Sequence, residues 1–343
     1  MTSANSPFAD PWRPVFVVGS ARSGTTLLYH TLLSSGDYAV YRGEPAVFDL
    51  LAARFGDLRS RAARRRLMLV WPRSHLAMAS GFDDPARCDT LVEECRSNGD
   101  FLRRVMSAIA ERQGVTRWAV WGPDNLLLMR WIKREMPDAR FIHVIRDGRD
   151  IALSLQTEGW IRPFPWDRQH QLVVSALHWQ WKLQRGRRDA RHLGTDYIEI
   201  RFENLVSRPS EVVATLSRFL SHALEYEQIA QSVLGTLGDR NSTFRSEGSS
   251  PVARWRQRLT PTELAHAEVA IGSTLDALGY ARAATERLKP PARLQLIYPL
   301  FFDLKHALRT HTPLGRFVDD SRMRLDAESE SPESTPAQRG NSA

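Results

Sequence analysis

Cysteine and long apolar runs are scarce in this chain of 343 residues. Its two cysteines, Cys88 and Cys95, lack the companion residues of a zinc site or a disulfide framework. No apolar run approaches the roughly 20 residues that a membrane-spanning helix needs. The opening stretch MTSANSPFADPWRP lacks the basic start and the apolar segment of a secretory signal. These absences predict a cytoplasmic protein with free thiols and no metal site.

Lysine is also rare, although the chain carries a formal net charge of +8 at pH 7. Among its 47 basic residues, the lysines are Lys133, Lys182, Lys289 and Lys305. Such a preference for arginine is more typical of codon bias than of a recognition surface. The densest basic cluster, Arg59 to Arg66, lies in a helix-like stretch and has no aromatic residues between its charges. Nucleic-acid binding is therefore disfavoured.

Apolar runs alternate with longer segments of helical period, which predicts an α/β fold with a central parallel sheet flanked by helices. Strands are predicted at Val15 to Gly19, Tyr38 to Tyr41, Arg117 to Trp121, Phe141 to Ile145 and Tyr197 to Arg201. Helices are predicted at Thr25 to Ser34, Asp124 to Met136, Asp150 to Thr157, Gln171 to Arg191, Pro209 to Leu220 and Pro261 to Leu278. The last helix has a capping box, Thr260 with Glu263, and proline at its first position.

The first predicted strand continues into GSARSGTT, where Gly19 and Gly24 have the spacing of a phosphate-binding loop. Thr25 stands where that motif has its lysine, so hydrolysis of a nucleoside triphosphate is disfavoured. If a helix begins near Gly24, its first amides and its dipole favour an anion. Arg22 supplies a cation inside the loop, and two threonines supply hydroxyl donors. The alternative is a simple glycine-containing turn.

A second anion-binding element is predicted after the fourth strand. Arg146 stands at the carboxyl end of that strand, and the chain then turns into a helix that carries Ser154. In an open α/β sheet, ligands bind beyond the carboxyl ends of the strands, so Arg22 and Arg146 are expected at one site. The alternative for Arg146 is a surface ion pair with Asp147 or Asp150.

Together these segments resemble the sulfotransferases that use 3'-phosphoadenosine-5'-phosphosulfate (PAPS), closest to the bacterial branch that is similar to the protein-tyrosine sulfotransferases. The matches include YIEIRFENLVSRP and SSPVARWRQRLTPTEL and extend over roughly Val15 to Tyr280. The resemblance implies a P-loop NTPase-like three-layer fold and metal-free transfer of a sulfuryl group from PAPS to a hydroxyl or an amine. The cofactor-binding residues that the resemblance implies are Arg22, Ser23, Gly24, Thr25 and Thr26 at the 5'-phosphosulfate and Arg146 and Ser154 at the 3'-phosphate. It also implies Phe202 as an aromatic face for adenine, and Arg254 near the cofactor.

The resemblance also implies a carboxylate base, and Glu44 in VYRGEPAVFDL stands at the matching Gly-Glu step. The competing interpretation of Glu44 is a solvated carboxylate or a partner for Arg42. The alternative bases are His30 and His143, which lie in apolar segments that favour packing, and His170 and His178. The family's W-G-x-K-x-P lysine is missing from VWGPDN, so Arg22 alone or Arg254 is expected to stabilise the leaving oxygen. The predicted catalytic residues are Glu44 and Arg22.

The acceptor side is less clearly marked. The loop GWIRPFPW at 159–166, with Trp71, suits stacking on a sugar or an aromatic ring, or is simply packed. A small-molecule, carbohydrate or lipid-linked acceptor is expected. The apolar segment ARLQLIYPLFFDLKHALRT is expected either to dock on the main domain or to rest on a membrane surface. The predicted divisions are a flexible N-terminus (1–12), the sulfotransferase domain (13–282), a C-terminal helical extension (283–318) and a disordered tail (319–343).

Two other functions remain open on the sequence. A P-loop kinase-like phosphotransferase would share the fold and the loop, but it would bind ATP with magnesium. A catalytically inactive nucleotide-binding protein would keep Arg22 and Arg146 but lack a working base.

Overall fold

The computed structural model describes residues 12–82, 84–159, 161–231, 250–285, 288–289, 291–312, 314 and 317. In this part of the chain a five-stranded sheet has the order β2-β3-β1-β4-β5, and every neighbouring pair is parallel. The strands are β1 (Val15–Gly19), β2 (Tyr38–Ala39), β3 (Arg117–Trp121), β4 (Arg140–Ile145) and β5 (Tyr197–Arg201).

The helices are α1 (Thr25–Leu33), α2 (Ala52–Phe55), α3 (Arg61–Met68), α4 (His75–Ser80), α5 (Pro85–Glu93), α6 (Asn98–Arg112), α7 (Met129–Glu135), α8 (Gly148–Glu158), α9 (Gln171–Ala190), α10 (Phe202–Ser207), α11 (Pro209–Leu220), α12 (Tyr226–Gln231), α13 (Trp255–Arg258), α14 (Pro261–Ala277) and α15 (Ala292–His311). A π-helical turn covers Val47–Leu51, and 3-10 turns cover Trp71–Arg73, Pro123–Leu127, Pro165–His170 and Gly194–Asp196.

Strands β1 and β4 form the centre of the sheet, and each of their residues is buried. Parallel strands that are covered on both faces carry continuous apolar runs, as VFVVG does. The register pairs Gly19 with Val144, so the two strands end level with each other. The loop after β1 therefore lies beside the residues that follow β4.

Alternate residues of β1 point into two cores. Phe16 and Val18 belong to a cluster that includes residues of α6 and α7. Val15 and Val17 belong to a cluster with residues of α1 and α11 on the other face. The expected three-layer architecture, a central parallel sheet flanked by helices, is thus confirmed. A third apolar cluster joins α8, α9, α14 and α15.

Most predicted elements agree with the structure to within two residues. The bounds of β1, β3, β5 and α11 are those predicted, and both hydrogen bonds of the capping box at Thr260 are present. The predicted helix Asp124 to Met136 is instead divided, because Leu128 leaves the helical backbone region (φ −122°) between the 3-10 turn and α7. Between β2 and β3, the sequence indicated helix only around Arg59 to Arg66. The structure has five helices in this segment, α2 to α6.

Helix α15 packs along α9 at the C-terminal side of the described chain. Tyr298 and Phe302 are buried there, and the indole Nε1 of Trp181 donates to Asp303 Oδ1 at 2.8 Å. Among the helices of the described ranges, none is long and apolar enough to cross a bilayer. The predicted tail 319–343 and nearly all of the predicted N-terminus 1–12 lie outside the described residues, and the four domain limits stay predictions.

Candidate active site

A cavity of about 170 Å³ lies where the loop after β1 meets the carboxyl ends of β4 and β5. Except for Ser23, every predicted site residue lines it, namely Arg22, Gly24, Thr25, Thr26, Glu44, Arg146, Ser154, Phe202 and Arg254. These residues come from separate segments of the sequence, so the fold brings them together. We call this the small cavity.

The loop between β1 and α1 has left-handed backbone at Arg22 (φ 70°) and Gly24 (φ 97°). The amide of Ser23 donates to the carbonyl of Ser20 at 3.1 Å and closes the turn. Helix α1 begins at Thr25, and the first amides of a helix have no acceptor inside it. The positive end of the helix dipole is therefore available at the small cavity for an anion.

Gly24 is held against the ring of Phe202, the first residue of α10. A Cβ on Gly24 would overlap that ring, so the position excludes larger residues for a steric reason as well as a backbone one. The same ring lies 4.3 Å from the guanidinium carbon of Arg146. Phe202 thus connects the loop with Arg146, while its expected contact with adenine stays a prediction.

The ion pair of Arg146 with Asp150 that the alternative predicted is present, but it is buried rather than at the surface. The Nη1 of Arg146 donates to the carbonyl of Arg22 at 3.1 Å, and its Nη2 donates to the carbonyl of Pro251 and lies 3.6 Å from Asp150. Burial lowers the pKa of Arg146 and the Asp150 carboxylate opposes that shift, but an arginine stays charged at neutral pH. The cation is therefore held in place by two carbonyl groups and by its ion pair with Asp150.

Three buried polar atoms around this loop have no hydrogen-bond partner among the described residues. They are the hydroxyl oxygens of Ser20 and Ser23 and the Nε of Arg146. Buried polar groups in native proteins nearly always have a partner, so each exception needs an explanation. All three groups can donate a hydrogen bond, which fits a ligand rich in acceptor oxygens such as a phosphate or a phosphosulfate.

Arg22 reaches across the small cavity to α8. Its Nε donates to Ser154 Oγ at 2.8 Å, and its Nη2 lies 3.4 Å from Glu158. Arg22 and Ser154 were expected at different ends of the donor, yet they are in direct contact here. Their separate roles stay predictions.

A buried ion cluster, made of Asp147, Arg149, Asp150 and Glu268, fixes the segment before α13. Asp150 accepts hydrogen bonds from the amides of residues 253 and 255 at 2.9 and 3.0 Å. Arg149 pairs with Asp147 at 2.7 Å and with Glu268 at 2.5 Å. Asp150 was expected only as a partner of Arg146, and the cluster as a whole was missed. The hydrogen bonds from the amides of residues 253 and 255 to Asp150 hold Arg254 beside the loop that follows β1.

A second cavity, of about 360 Å³, adjoins the small cavity, since Ala21, Glu44 and Pro123 line both. We call it the large cavity. Its apolar wall comprises Leu127, Leu128, Leu155, Ile161, Trp181, Phe301 and Phe302. Its charged lining comprises Glu44, Asp49, Asp124, Arg162, Lys182, Lys305 and Arg309. Glu44 therefore lies at the junction, where groups bound in the two cavities would meet.

The aromatic residues predicted for acceptor binding are only partly placed there. Trp71 is buried against Phe101 at 5.0 Å, so the packed alternative is correct for it. In the loop at 159–166, Ile161 and Arg162 line the large cavity, whereas Trp166 is exposed and lines neither cavity. Residue 160 lies outside the described residues.

Of the alternative bases, His178 alone lines either of these two cavities. Burial lowers the pKa of His178 to about 3, which makes its imidazole a weak base. His170 is bound to Asp167 at 2.5 Å. His30 and His143 are buried, as their apolar segments predicted, and burial lowers the pKa of His143 to about 4.

Lys182, on α9, was missed as a site residue. Its side chain is buried, and the amine donates to the carbonyl of Pro123 at 3.2 Å and to Asp124 at 2.7 Å. Lys182 thereby holds the pKa of Asp124 well below its usual value. Pro123 and Asp124 belong to VWGPDN, the segment without the expected lysine, so a lysine from a distant helix reaches it. The available signal was the rarity of lysine in this chain.

Residues 14–227 match the model of the family described as "Sulfotransferase family". That span exceeds half of the chain, which therefore belongs to the sulfotransferase family and is a sulfotransferase enzyme. Similar solved structures include the sulfotransferase domain of the Synechococcus PCC 7002 olefin synthase, with 18% identity, 76% of this chain and 93% of that chain covered, and a TM-score of 0.46.

Two further similar structures are STF9 from Mycobacterium avium and mouse SULT7A1 complexed with PAP. For STF9 the identity is 15%, the coverage is 78% of this chain and 77% of that chain, and the TM-score is 0.43. For SULT7A1 the identity is 13%, the coverage is 78% and 88%, and the TM-score is 0.43. The comparison with curated proteins found no match.

Proposed function

We propose that this sulfotransferase takes its sulfuryl group from PAPS and transfers it to a hydroxyl or an amine of a small-molecule, carbohydrate or lipid-linked acceptor. One observation carries the choice of donor. The small cavity combines the start of helix α1 with Arg22 and Arg146, and the buried Nε of Arg146 has no partner among the described residues, so these groups suit acceptor oxygens. PAPS presents such oxygens at a 5'-phosphosulfate and at a 3'-phosphate.

In this proposal the loop holds the 5'-phosphosulfate. The amides at the start of α1 and the hydroxyls of Ser23, Thr25 and Thr26 donate to its oxygens. Arg146 and Ser154 hold the 3'-phosphate, and Phe202 and Arg254 bound the adenosine side. A dianionic group is matched here by fixed positive charge and helix dipole, so the transfer needs no metal ion.

The reaction proposed is a single in-line displacement. The acceptor oxygen or nitrogen attacks sulfur and forms a new bond to it, while the bond from sulfur to the 5'-phosphate oxygen breaks. Adenosine 3',5'-bisphosphate leaves with that electron pair, stabilised by Arg22 and the helix start, with Arg254 as the other candidate cation. The acceptor's proton passes to the Glu44 carboxylate.

The acceptor is assigned to the large cavity, because Glu44 stands between that cavity and the donor loop. Its mixture of aromatic, aliphatic and charged lining suits an amphiphilic molecule better than a simple ion. Location in the cytoplasm, no role for nucleic acid and kinship with the branch similar to the protein-tyrosine sulfotransferases are parts of the same proposal.

Calorimetry tests the donor, and a transfer assay tests the reaction. Adenosine 3',5'-bisphosphate should bind without magnesium and much more tightly than ATP with magnesium. The reverse order would assign the site to a kinase-like phosphotransferase. Incubation of the enzyme and a host extract with labelled PAPS should label an acceptor. Tight bisphosphate binding with no transfer to any acceptor would indicate an inactive nucleotide-binding protein.

A further inference from the structure

Helix α15 carries apolar residues on two opposite faces. One face packs into the protein through the buried Tyr298 and Phe302. The other face repeats leucine at every fourth position and is exposed to solvent. We call it the leucine stripe, and it comprises Leu296 (65% exposed), Leu300 (60%), Leu304 (57%) and Leu308 (38%). A helix that is apolar all round is normally covered on both sides, so the stripe marks an interaction surface.

An exposed tryptophan extends this surface. Trp166 is 71% exposed, and its ring stacks on that of Phe164 with centroids 4.8 Å apart. Phe164 in turn contacts the rings of Tyr298 and Phe301 on α15, at 5.1 and 4.8 Å. Trp166 is thereby fixed beside α15. Tryptophan is enriched where an apolar phase meets water.

The exposed charged residues of α15 and of segment 161–170 are basic. Arg162 and Arg168 flank Trp166 in sequence, and α15 itself carries Arg293 and Lys305, all four of them exposed. The acid of α15, Asp303, is paired with Arg185 and is also bound by Trp181. Exposed leucines with arginine and lysine beside them are the composition of a helix that lies on an anionic membrane.

We propose that the leucine stripe and Trp166 form a docking surface for an anionic lipid membrane. The leucines enter the boundary between headgroups and acyl chains, and Arg162, Arg168, Arg293 and Lys305 lie among the lipid phosphates. A second copy of the chain is the other possible occupant, but pairing two such surfaces would bring basic residues together.

Docking would bring the large cavity close to the lipid, because α15 supplies part of its wall through Phe301, Phe302 and Lys305. An acceptor that is anchored in the membrane would then reach Glu44 without leaving it. This consequence for the acceptor rests on the proposed function, whereas the docking surface does not.

Co-sedimentation of the full chain with vesicles tests the docking surface. The protein should bind vesicles of phosphatidylcholine and phosphatidylglycerol, and bind vesicles of phosphatidylcholine alone much more weakly. The double variant Leu300→Asp and Leu304→Asp should lower the partition coefficient at least ten-fold, since two inserted leucines are replaced by charges that anionic lipid repels. Arg293→Ala should lower it by roughly five-fold, the usual contribution of one basic residue near such a surface.

Leu69→Asp is the matched control, because Leu69 is 72% exposed but lies outside α15. It should leave the partition coefficient unchanged. Full-chain protein that stays in solution with anionic vesicles overturns the proposal, as does an equal loss in Leu69→Asp. A concentration-dependent dimer that the double variant dissociates would assign the stripe to a second copy. Equal thermal midpoints show that the variants are folded, and bisphosphate affinity, measured separately, reports on the donor proposal alone.

Discussion

The small and large cavities share Glu44 but are built in opposite ways. The small cavity consists of short segments at the carboxyl ends of neighbouring strands, and the buried Nε of Arg146, one of its lining residues, has no partner in the described structure. The large cavity is assembled from the Pro123–Leu127 turn, α9 and α15, which are far apart in sequence. Several of its charges are already paired, as Lys182 is with Asp124.

This contrast separates two tasks of a transferase. A sulfuryl donor of fixed chemistry needs hydrogen-bond donors and cations at fixed positions. The carboxyl ends of parallel strands supply these groups with little variation. The acceptor side is free to differ, because helices and loops outside the sheet form it. Arg309 is an example. Its Nη1 lies 3.7 Å from Asp124 Oδ2, and its Nη2 donates to the backbone carbonyl of Asp49, so these contacts make Arg309 part of the wall of the large cavity.

The largest expected effect is at Glu44, where the two cavities meet. Glu44→Gln should lower the turnover of sulfuryl transfer by about a hundred-fold to ten-thousand-fold, the usual loss when a general base is removed. Bisphosphate affinity and thermal midpoint should stay unchanged, because the carboxylate acts on the acceptor's proton. Single-turnover transfer, calorimetry and a melting curve on one preparation measure all three.

Asp49→Asn is the control for Glu44, since Asp49 is a carboxylate in the large cavity only. Its turnover should stay within a few-fold of the wild type. A well-folded Glu44→Gln with near-normal transfer would assign the role of general base to His178, the remaining candidate base that lines the large cavity.

The next effect concerns the cations of the small cavity. Arg146→Ala and Arg22→Ala should each weaken bisphosphate binding by about 1.5 to 3 kcal/mol, the value of a charge-assisted hydrogen bond. Arg140→Ala is the control, because Arg140 is equally buried but opens β4 at the end away from the cavity. It should cost stability and leave calorimetric affinity intact. Unchanged affinity in both site variants would remove these arginines from the donor site.

Much of the sheet and the donor side could be predicted from sequence because the signals are local. Buried parallel strands show as apolar runs, and α11 and α14 begin with proline where a helix tolerates it. The anion loop has two glycines at fixed spacing. Each of these features depends on residues within one turn or one strand of each other.

The parts that were not predicted depend on distant contacts. Lys182 forms an ion pair with Asp124, which is 58 positions away in the sequence, and no periodicity of the sequence indicates such a pair. The short helices α2 to α5 are fixed by tertiary packing rather than by their own pattern, since each of them contributes to one buried apolar cluster, through Phe55, Leu67, Leu76 and Val92. The contact of Gly24 with Phe202 likewise joins two segments that are distant in sequence, and neither segment's own pattern indicates it.

Gly24→Ala tests whether that contact shapes the donor loop. The variant should lose about 1 to 3 kcal/mol of unfolding free energy and bind bisphosphate less tightly, because a left-handed residue gains a Cβ that overlaps the Phe202 ring. Gly114→Ala has a similar φ of 71° with no atom within 4 Å of the new Cβ, so it isolates the backbone cost of roughly 1 kcal/mol. Equal losses in denaturant unfolding would show that the ring contact contributes nothing.

A pH effect is expected on the large-cavity side. Burial lowers the pKa of His178 to about 3, below the ordinary value near 6.5, so the unfolded chain binds more protons between these limits. Above pH 6.5 the buried neutral His178 does not reduce the free energy of unfolding. As the pH falls from 6.5 toward 3, that free energy decreases, because the unfolded state takes up the proton first. His178→Gln should therefore flatten the slope of unfolding free energy against pH by up to about 1.4 kcal/mol per unit. The acid limb of its transfer rate should match the wild type, and a shifted limb would make His178 the base.

The smallest expected effect is that of metal removal, which should leave transfer from PAPS unchanged. In the small cavity Arg22, Arg146 and the start of α1 provide the positive charge that a magnesium ion supplies to nucleoside triphosphates in kinases. Adding EDTA, or adding excess magnesium after dialysis, should alter neither the single-turnover rate nor bisphosphate affinity beyond the error of the measurement. A rate that falls with EDTA and returns with magnesium would show that these arginines are insufficient, and it would make the donor side resemble a kinase rather than the metal-free site proposed here.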